Sequence, residues 1–184
     1  MDWMIPGTVR SIPKSDAARI EDIFNSMFLT GDLALRQVSE LTGLEPYAIQ
    51  NWVKRGFLTP PQKKRYNMNQ LCRILNINML KSVMPLETVC SLLSYINGHL
   101  DDTSDDIIRD KDLYFIFVRL VTDVGKVGRP ENMDPWLTEA LVHYQEPVPG
   151  AKERVKKVLH IMLTAWAAAQ LREYSQKMVN ELNQ

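Results

Sequence analysis

Cysteine is scarce in this 184-residue chain: only Cys72 and Cys90 occur. Two cysteines cannot make a disulfide framework, so reduced thiols in a cytoplasm are the expectation. Glycine (8) and proline (10) are too few for a collagenous or low-complexity chain. Long apolar runs are missing as well. The most apolar helical stretch, 159–171, holds His160, Thr164 and Gln170 and is too short and too interrupted to span a bilayer. Residues 1–10 carry Asp2, Pro6 and Gly7 and lack a long apolar core, so no signal peptide is read. His99, His143 and His160 stand apart, and there is no His-x-x-x-His pair, no Gly-rich phosphate loop and no nucleophile elbow. An enzyme is therefore not expected, and neither a cofactor nor a metal site is read. Cys72 and Cys90 fall in amphipathic stretches without a third zinc-type ligand, which fits small buried hydrophobes.

Net charge is zero, but it is unevenly spread. Residues 1–32 are net −2, residues 33–82 net +6 with Glu40 and Glu45 as their only acids, and residues 83–184 net −4. A basic island between acidic stretches permits a polyanion partner. Three regions follow: an N-terminal segment and helix (1–32), a basic unit (33–98) and a helical remainder (99–184).

Residues 1–14 read as irregular, with Trp3, Ile5 and Ile12 as anchors. A helix is expected over 16–28, capped by Ser15 or Asp16, with Ile20, Ile23, Phe24 and Met27 at helical spacing. Another is expected over 85–97, with Leu86, Val89, Leu92, Leu93 and Ile96 on one face and Gly98 after it. Six aspartates lie within 101–112, but their spacing is wrong for a calcium loop; Ser104, Asp105 and Asp106 are expected to cap the next helix. The apolar run 113–118 continues through Leu120, Val121 and Val124 at helical spacing, which suits a core or a dimer interface. A turn at 125–130, a helix over 134–144 and a long helix over 152–182 complete the chain. Tyr114, Phe115, Phe117, Trp136, Tyr144 and Trp166 fit core packing better than an effector pocket.

The basic unit carries the strongest signal. Leu35, Val38 and Leu41 mark a short amphipathic helix, Gly43 suits a left-handed residue past its end, and Pro46 starts a second helix. Two helices joined by a tight glycine turn have the form of a helix-turn-helix. Unrolled at about 100° per residue from Tyr47, Ile49, Trp52 and Val53 fall at about 200°, 140° and 240°, one buried face. Gln50, Asn51 and Lys54 cluster around Tyr47 on the opposite side, flanked by Arg55. Such side chains reach base edges and phosphates in a major groove, though a solvated helix has the same look. Past Gly56, residues 57–59 read as an extended piece, Pro60, Pro61 and Gln62 as a tip, and Lys63, Lys64, Arg65 and Tyr66 as a returning basic strand. A basic hairpin beside a recognition helix is a wing that can grip a sugar–phosphate backbone; a basic surface loop is the plainer alternative.

The order of these elements resembles the N-terminal domain of the mercuric-resistance regulator (MerR) family, and the chain is similar to bacterial MerR-like proteins grouped as a domain of unknown function. The residues that carry the likeness run from Val38 to Pro46, then Ile49, Trp52 and 56–61, Arg65-Tyr66 with Leu71, and 85–89. It covers about 33–98. It implies an all-α fold with a small β-wing and a C-terminal helical region for dimerisation or effector sensing. It also implies a dimeric, cytoplasmic transcriptional regulator of double-stranded DNA. Tyr47, Gln50, Asn51, Lys54, Arg55, Lys63, Lys64, Arg65 and Tyr66 are the candidate DNA contacts. Three departures stand against direct transfer. Family members commonly carry arginine where Tyr47 and Gln50 stand, and often tyrosine at Asn51. Thr59 adds a residue before the prolines. Three helical stretches replace the single long dimer helix after residue 98. A homodimer is expected from 113–124 and from the last helix, with the operator, any small-molecule effector and the direction of regulation open. The alternative is a helix-turn-helix kept for binding another protein, without DNA.

Overall fold

The computed structural model describes residues 2–100, 102, 104–123 (side chains to 122) and 132–182. It is 64% helix and 6% strand, with small sheets. Val124 and the turn expected at 125–130 lie outside the described residues. Among the described residues no helix is long and apolar enough to cross a membrane.

The N-terminus is more ordered than its composition suggests. β1 (Asp2–Met4) pairs antiparallel with β2 (Ser11–Pro13), and Trp3 sits opposite Ile12. Gly7 turns the hairpin at φ 76°, and a Cβ there would meet the Leu75 carbonyl oxygen at 2.6 Å. Only glycine allows both the backbone angle and that approach. Asn78 Nδ2 donates to the Gly7 carbonyl (2.8 Å), and Tyr114 donates its hydroxyl proton to the Pro6 carbonyl (2.8 Å). The expected anchors do pack on the core, with Ile5 fully buried and Trp3 and Ile12 half-buried. The first helix differs from expectation: Lys14–Arg19 is a 3-10 turn, and α1 spans only Ile20–Met27. Pro13 precedes the turn, and neither Ser15 nor Asp16 caps it.

α2 (Leu35–Thr42) and α3 (Pro46–Lys54) follow the two-residue strand β3 (Leu33–Ala34). β4 (Arg65–Tyr66) pairs with β3 and leads into α4 (Met68–Leu80), then α5 (Leu86–Asn97), α6 (Asp110–Asp123), α7 (Asp134–Ala140) and α8 (Ala151–Leu182). α4 is the hub, buried continuously from Gln70 to Ile77, and it packs most extensively on α6. α6 confirms the helical spacing of its apolar run, and Leu113–Val118 is buried throughout. That surface is spent inside the chain on α4, so it is core and not a dimer face. The predicted cap is displaced: α6 begins at Asp110, while Asp105 accepts the His99 N–H (3.0 Å) and Asp102 accepts the Ser104 N–H (2.9 Å). Tyr114 and Phe115 pack against Phe24, and Phe117 is fully buried. Trp136, Tyr144 and Trp166 lie half-buried against the same core. Cys72 and Cys90 are buried free thiols, and burial pushes Cys90 up to about 11. One hydrophobic cluster runs from Ile5 to Ala165, so the divisions expected near 32 and 98 mark sequence character and not separate cores.

One ion pair lies inside this core. Arg73 Nη1 is 3.3 Å from Asp110 Oδ2, with both side chains almost fully buried. Arg73 Nε also donates to the Phe57 carbonyl (2.8 Å). Burial raises the Asp110 carboxyl, opposed by Arg73. Arg73→Met or Asp110→Leu alone strands a buried charge and should cost about 3–5 kcal/mol in urea titration; the double variant should cost less than either. Asp106 nearby is raised to about 6 by partial burial, then by Asp110 and Asp105. A raised carboxyl favours the folded state while protonated, and the penalty develops as pH rises from the ordinary range through about 6. Asp106→Asn should therefore be nearly neutral at about pH 4 and stabilising by about 1–2 kcal/mol at about pH 7.5.

Candidate nucleic-acid interface

The turn between α2 and α3 is built as the sequence implies. Gly43 closes α2 at φ 69°, donating its N–H to Ser39 (2.8 Å). Ser39 Oγ donates to the Leu44 carbonyl (2.6 Å), and Leu44 N–H is accepted by Thr42 Oγ1 (3.2 Å). Leu44 is buried, Glu45 is extended, and Pro46 opens α3 at its first position. This fixes how α3 leaves α2. Ile49 and Trp52 are buried and Val53 half-buried, while Tyr47 is 72% exposed and Gln50, Asn51 and Lys54 are exposed beside it.

The hairpin differs from its expected form. Residues 57–59 are not a strand, and the tip is not at the prolines. Pro60 and Pro61 have no N–H to offer a ladder. Their segment is held by Gln70, whose Nε2 donates to the Thr59 carbonyl (3.1 Å), Thr59 Oγ1 (3.0 Å) and the Pro60 carbonyl (3.0 Å). Gln70 Oε1 accepts the Asn67 N–H (3.0 Å), while Asn67 Oδ1 caps α4 through the Gln70 N–H (2.9 Å). Gln70 was missed from sequence as a positioning residue; the Asn67-x-x-Gln70 capping box was the available signal.

The tip is Gln62–Arg65, closed by the Arg65 N–H to the Gln62 carbonyl (2.8 Å). Lys63 and Lys64 occupy its two central positions at φ 47° and 63°. Two left-handed residues in succession mark the tight hairpin turn that usually takes Asn-Gly. Two lysines there carry backbone strain, and both side chains are exposed.

The cations of the basic island divide into two groups. Arg36 pairs with Glu40 (2.8 Å), Arg73 with Asp110, and Arg55 with Glu87 while stacking over Phe57 at 4.4 Å. Arg65 Nη1 donates to the Asp32 carbonyl (2.8 Å). Lys81 lies 6.0 Å from the Trp52 ring, and burial lowers its ammonium. Lys54, Lys63 and Lys64 have no ion-pair partner among the described residues. The outward positive charge is thus smaller than the sequence count, and it is concentrated on α3 and the hairpin tip.

Those two places face one groove. A cleft of ≈ 440 Å³ is lined by Leu35, Gln50, Val53, Pro61, Lys64 and Tyr66. Gln50 comes from α3 and Lys64 from the tip. Tyr66 is a correction: its side chain is 2% exposed and floors the groove as a core residue, so it is not presented as a contact. Arg55 is likewise engaged within the chain, through Glu87.

The family profile for the domain of unknown function DUF1836 matches residues 19–117, from α1 into α6. The chain belongs to the DUF1836 family. Both helices of the candidate interface, the hairpin tip and the Arg73–Asp110 pair fall inside the DUF1836 match, whereas the N-terminal hairpin, α7 and α8 fall outside it. The "Uncharacterized protein YkrK" of Bacillus subtilis (strain 168) is 36% identical over 78 residues, which is 40% of this chain and 34% of that protein. The chain thus spans about a third of the length of that curated relative. No solved structure matches.

Replacing the strained pair by Lys63→Asn with Lys64→Gly suits the turn and should raise stability by about 1–2 kcal/mol. Chemical denaturation reads it; a loss of stability would contradict the turn geometry.

Proposed function

We propose that this protein is a DNA-binding transcriptional regulator of MerR-like, winged helix-turn-helix form. It would act in the cytoplasm as a homodimer on double-stranded DNA, without catalysis or a cofactor. One observation carries the reading: Gln50 of α3 and Lys64 of the hairpin tip line the same groove. A duplex whose major groove received α3 would present its phosphates to that tip. Gln50 and Asn51 have the amide geometry that pairs with adenine, Tyr47 adds a polar contact, and Lys54 reaches a base edge or a phosphate. Lys63 and Lys64 contact phosphates only. Arg55 would have to leave Glu87 to join them, and Arg65 to leave the Asp32 carbonyl.

Each phosphate contact contributes about −0.9 to the slope of log affinity against log salt, so Lys54, Lys63 and Lys64 predict about −2.7 per protomer. Lys63→Ala with Lys64→Ala should flatten that by about 1.8 and weaken binding to every sequence alike. Fluorescence anisotropy on a duplex at several salt concentrations measures both. An unchanged slope removes the hairpin tip from the site.

A second reading is an interaction module that binds protein through the same α3 face. It is favoured by the neutral total charge and by the pairing of Arg36, Arg55 and Arg73 inside the chain. Absence of any salt-sensitive duplex binding decides for it.

A further inference from the structure

The buried ion pair does not use the whole of Arg73. Nε donates to the Phe57 carbonyl and Nη1 faces the Asp110 carboxylate, but Nη2 is buried and meets no acceptor. Asn97, the last residue of α5, is 3% exposed. Its closeness to Asp110 opposes the rise of that carboxyl, yet neither its Oδ1 nor its Nδ2 completes a hydrogen bond. Both ends of the carboxamide are empty, so turning it over changes nothing. Orphaned buried donors and acceptors are costly, and native interiors leave few of them without a partner of some kind. Arg73 and Asn97 line one cavity of ≈ 130 Å³, walled also by Gln70, Asn69, Asp106 and Asp110. Asn69 and Asp106 are only half-buried, which leaves a way in.

We propose that this cavity binds a small, neutral, planar molecule that carries a C=O and an N–H side by side, of the amide, urea or lactam class. The unfilled atoms define that chemistry. Arg73 Nη2 and Asn97 Nδ2 donate and Asn97 Oδ1 accepts, so the ligand must accept and donate as well. A carboxamide free at both ends pairs edge to edge with another amide. Charge argues against the other classes. Arg73 repels a cation, and among the described residues no three His, Cys, Asp or Glu side chains are grouped to hold a metal ion. Asp110 already matches Arg73, and Asp106 and Asp105 add negative charge beside it, so a net anion meets a surplus of its own sign. Size sets the rest: a cavity of about 150 Å³ admits one benzene, so this one takes a ring of about five or six atoms. Water satisfies the same atoms one by one, whereas a single planar edge satisfies them together and immobilises one body instead of several. The occupant would tie α5 to Arg73 and Gln70, which hold the base of the hairpin. That consequence rests on the regulator reading; the binding site does not.

NMR titration of the nitrogen-15-labelled full chain without DNA tests it, with 2-pyrrolidinone as the probe. The lactam shifts the Asn97 side-chain amide and the Arg73 Nε–H along one saturating curve, with a dissociation constant on the order of 1 mM. Cyclopentanone, a ring of the same size with the carbonyl but no N–H, binds at least about tenfold more weakly, and so does sodium acetate. Asn97→Leu removes both orphaned atoms for an apolar group of similar size, keeps the circular dichroism of the wild type and weakens the lactam by at least about tenfold. The comparison of lactam, ketone and acetate on the wild type decides the matter even if that variant fails to fold. Shifts that never saturate mean a cavity filled by water only and overturn the proposal. An equal response to cyclopentanone, tighter binding of acetate, or a lactam curve unchanged in a folded Asn97→Leu overturns it too. Since no duplex is present, those outcomes leave DNA binding by α3 and the hairpin tip to its own salt titration.

Discussion

The guanidinium of Arg73 sits where the three working parts of the molecule meet. It leaves α4, pairs with Asp110 at the start of α6, and donates to the Phe57 carbonyl of the segment joining α3 to the hairpin. A buried charge tolerates little misplacement, because the partner and the hydrogen bonds must offset its lost hydration. The pair therefore sets α4 against α6 and fixes the base of the hairpin in one step. Gln70, one turn earlier on α4, holds the Thr59 and Pro60 carbonyls by the same logic. The position of the Lys63–Lys64 tip relative to α3 is thus determined from inside the core.

From this frame the chemistry of the outer surface follows. α3 is held by two buried side chains, Ile49 and Trp52, and so presents a constant polar face. The hairpin tip accepts left-handed lysines where asparagine and glycine would cost less. Strain retained at an exposed, charged tip has a functional meaning if those charges are used. α8 lies on the part of the chain outside the DUF1836 match and leaves Leu171 and Leu182 exposed.

Much of this is legible in the amino-acid order alone. Gly43 and Pro46 announce the turn because only a left-handed residue and a helix-starting proline suit those places. Ile49 and Trp52 announce the buried side of α3 by spacing alone. The apolar run of α6 has a helical period that a strand lacks. Other features were hidden for physical reasons. The prolines at 60 and 61 suggested a tip, yet the turn falls two residues later, since the sequence gives lysine where a primed turn usually shows glycine. Tyr66 follows a run of three cations and looks exposed, but strand alternation turns it inward. The basic count over 33–82 overstated the free charge, because Glu87 and Asp110 lie far away in sequence. The N-terminal hairpin depends on contacts with Leu75, Asn78 and Tyr114 that no local pattern announces.

The most direct measurement is an amide and side-chain shift map of the isotopically labelled chain during titration with a short duplex at low salt. The account predicts that Tyr47, Gln50, Asn51 and Lys54 move together with Lys63 and Lys64, along one binding curve. Shifts confined to either group alone, or absent from both, would contradict it.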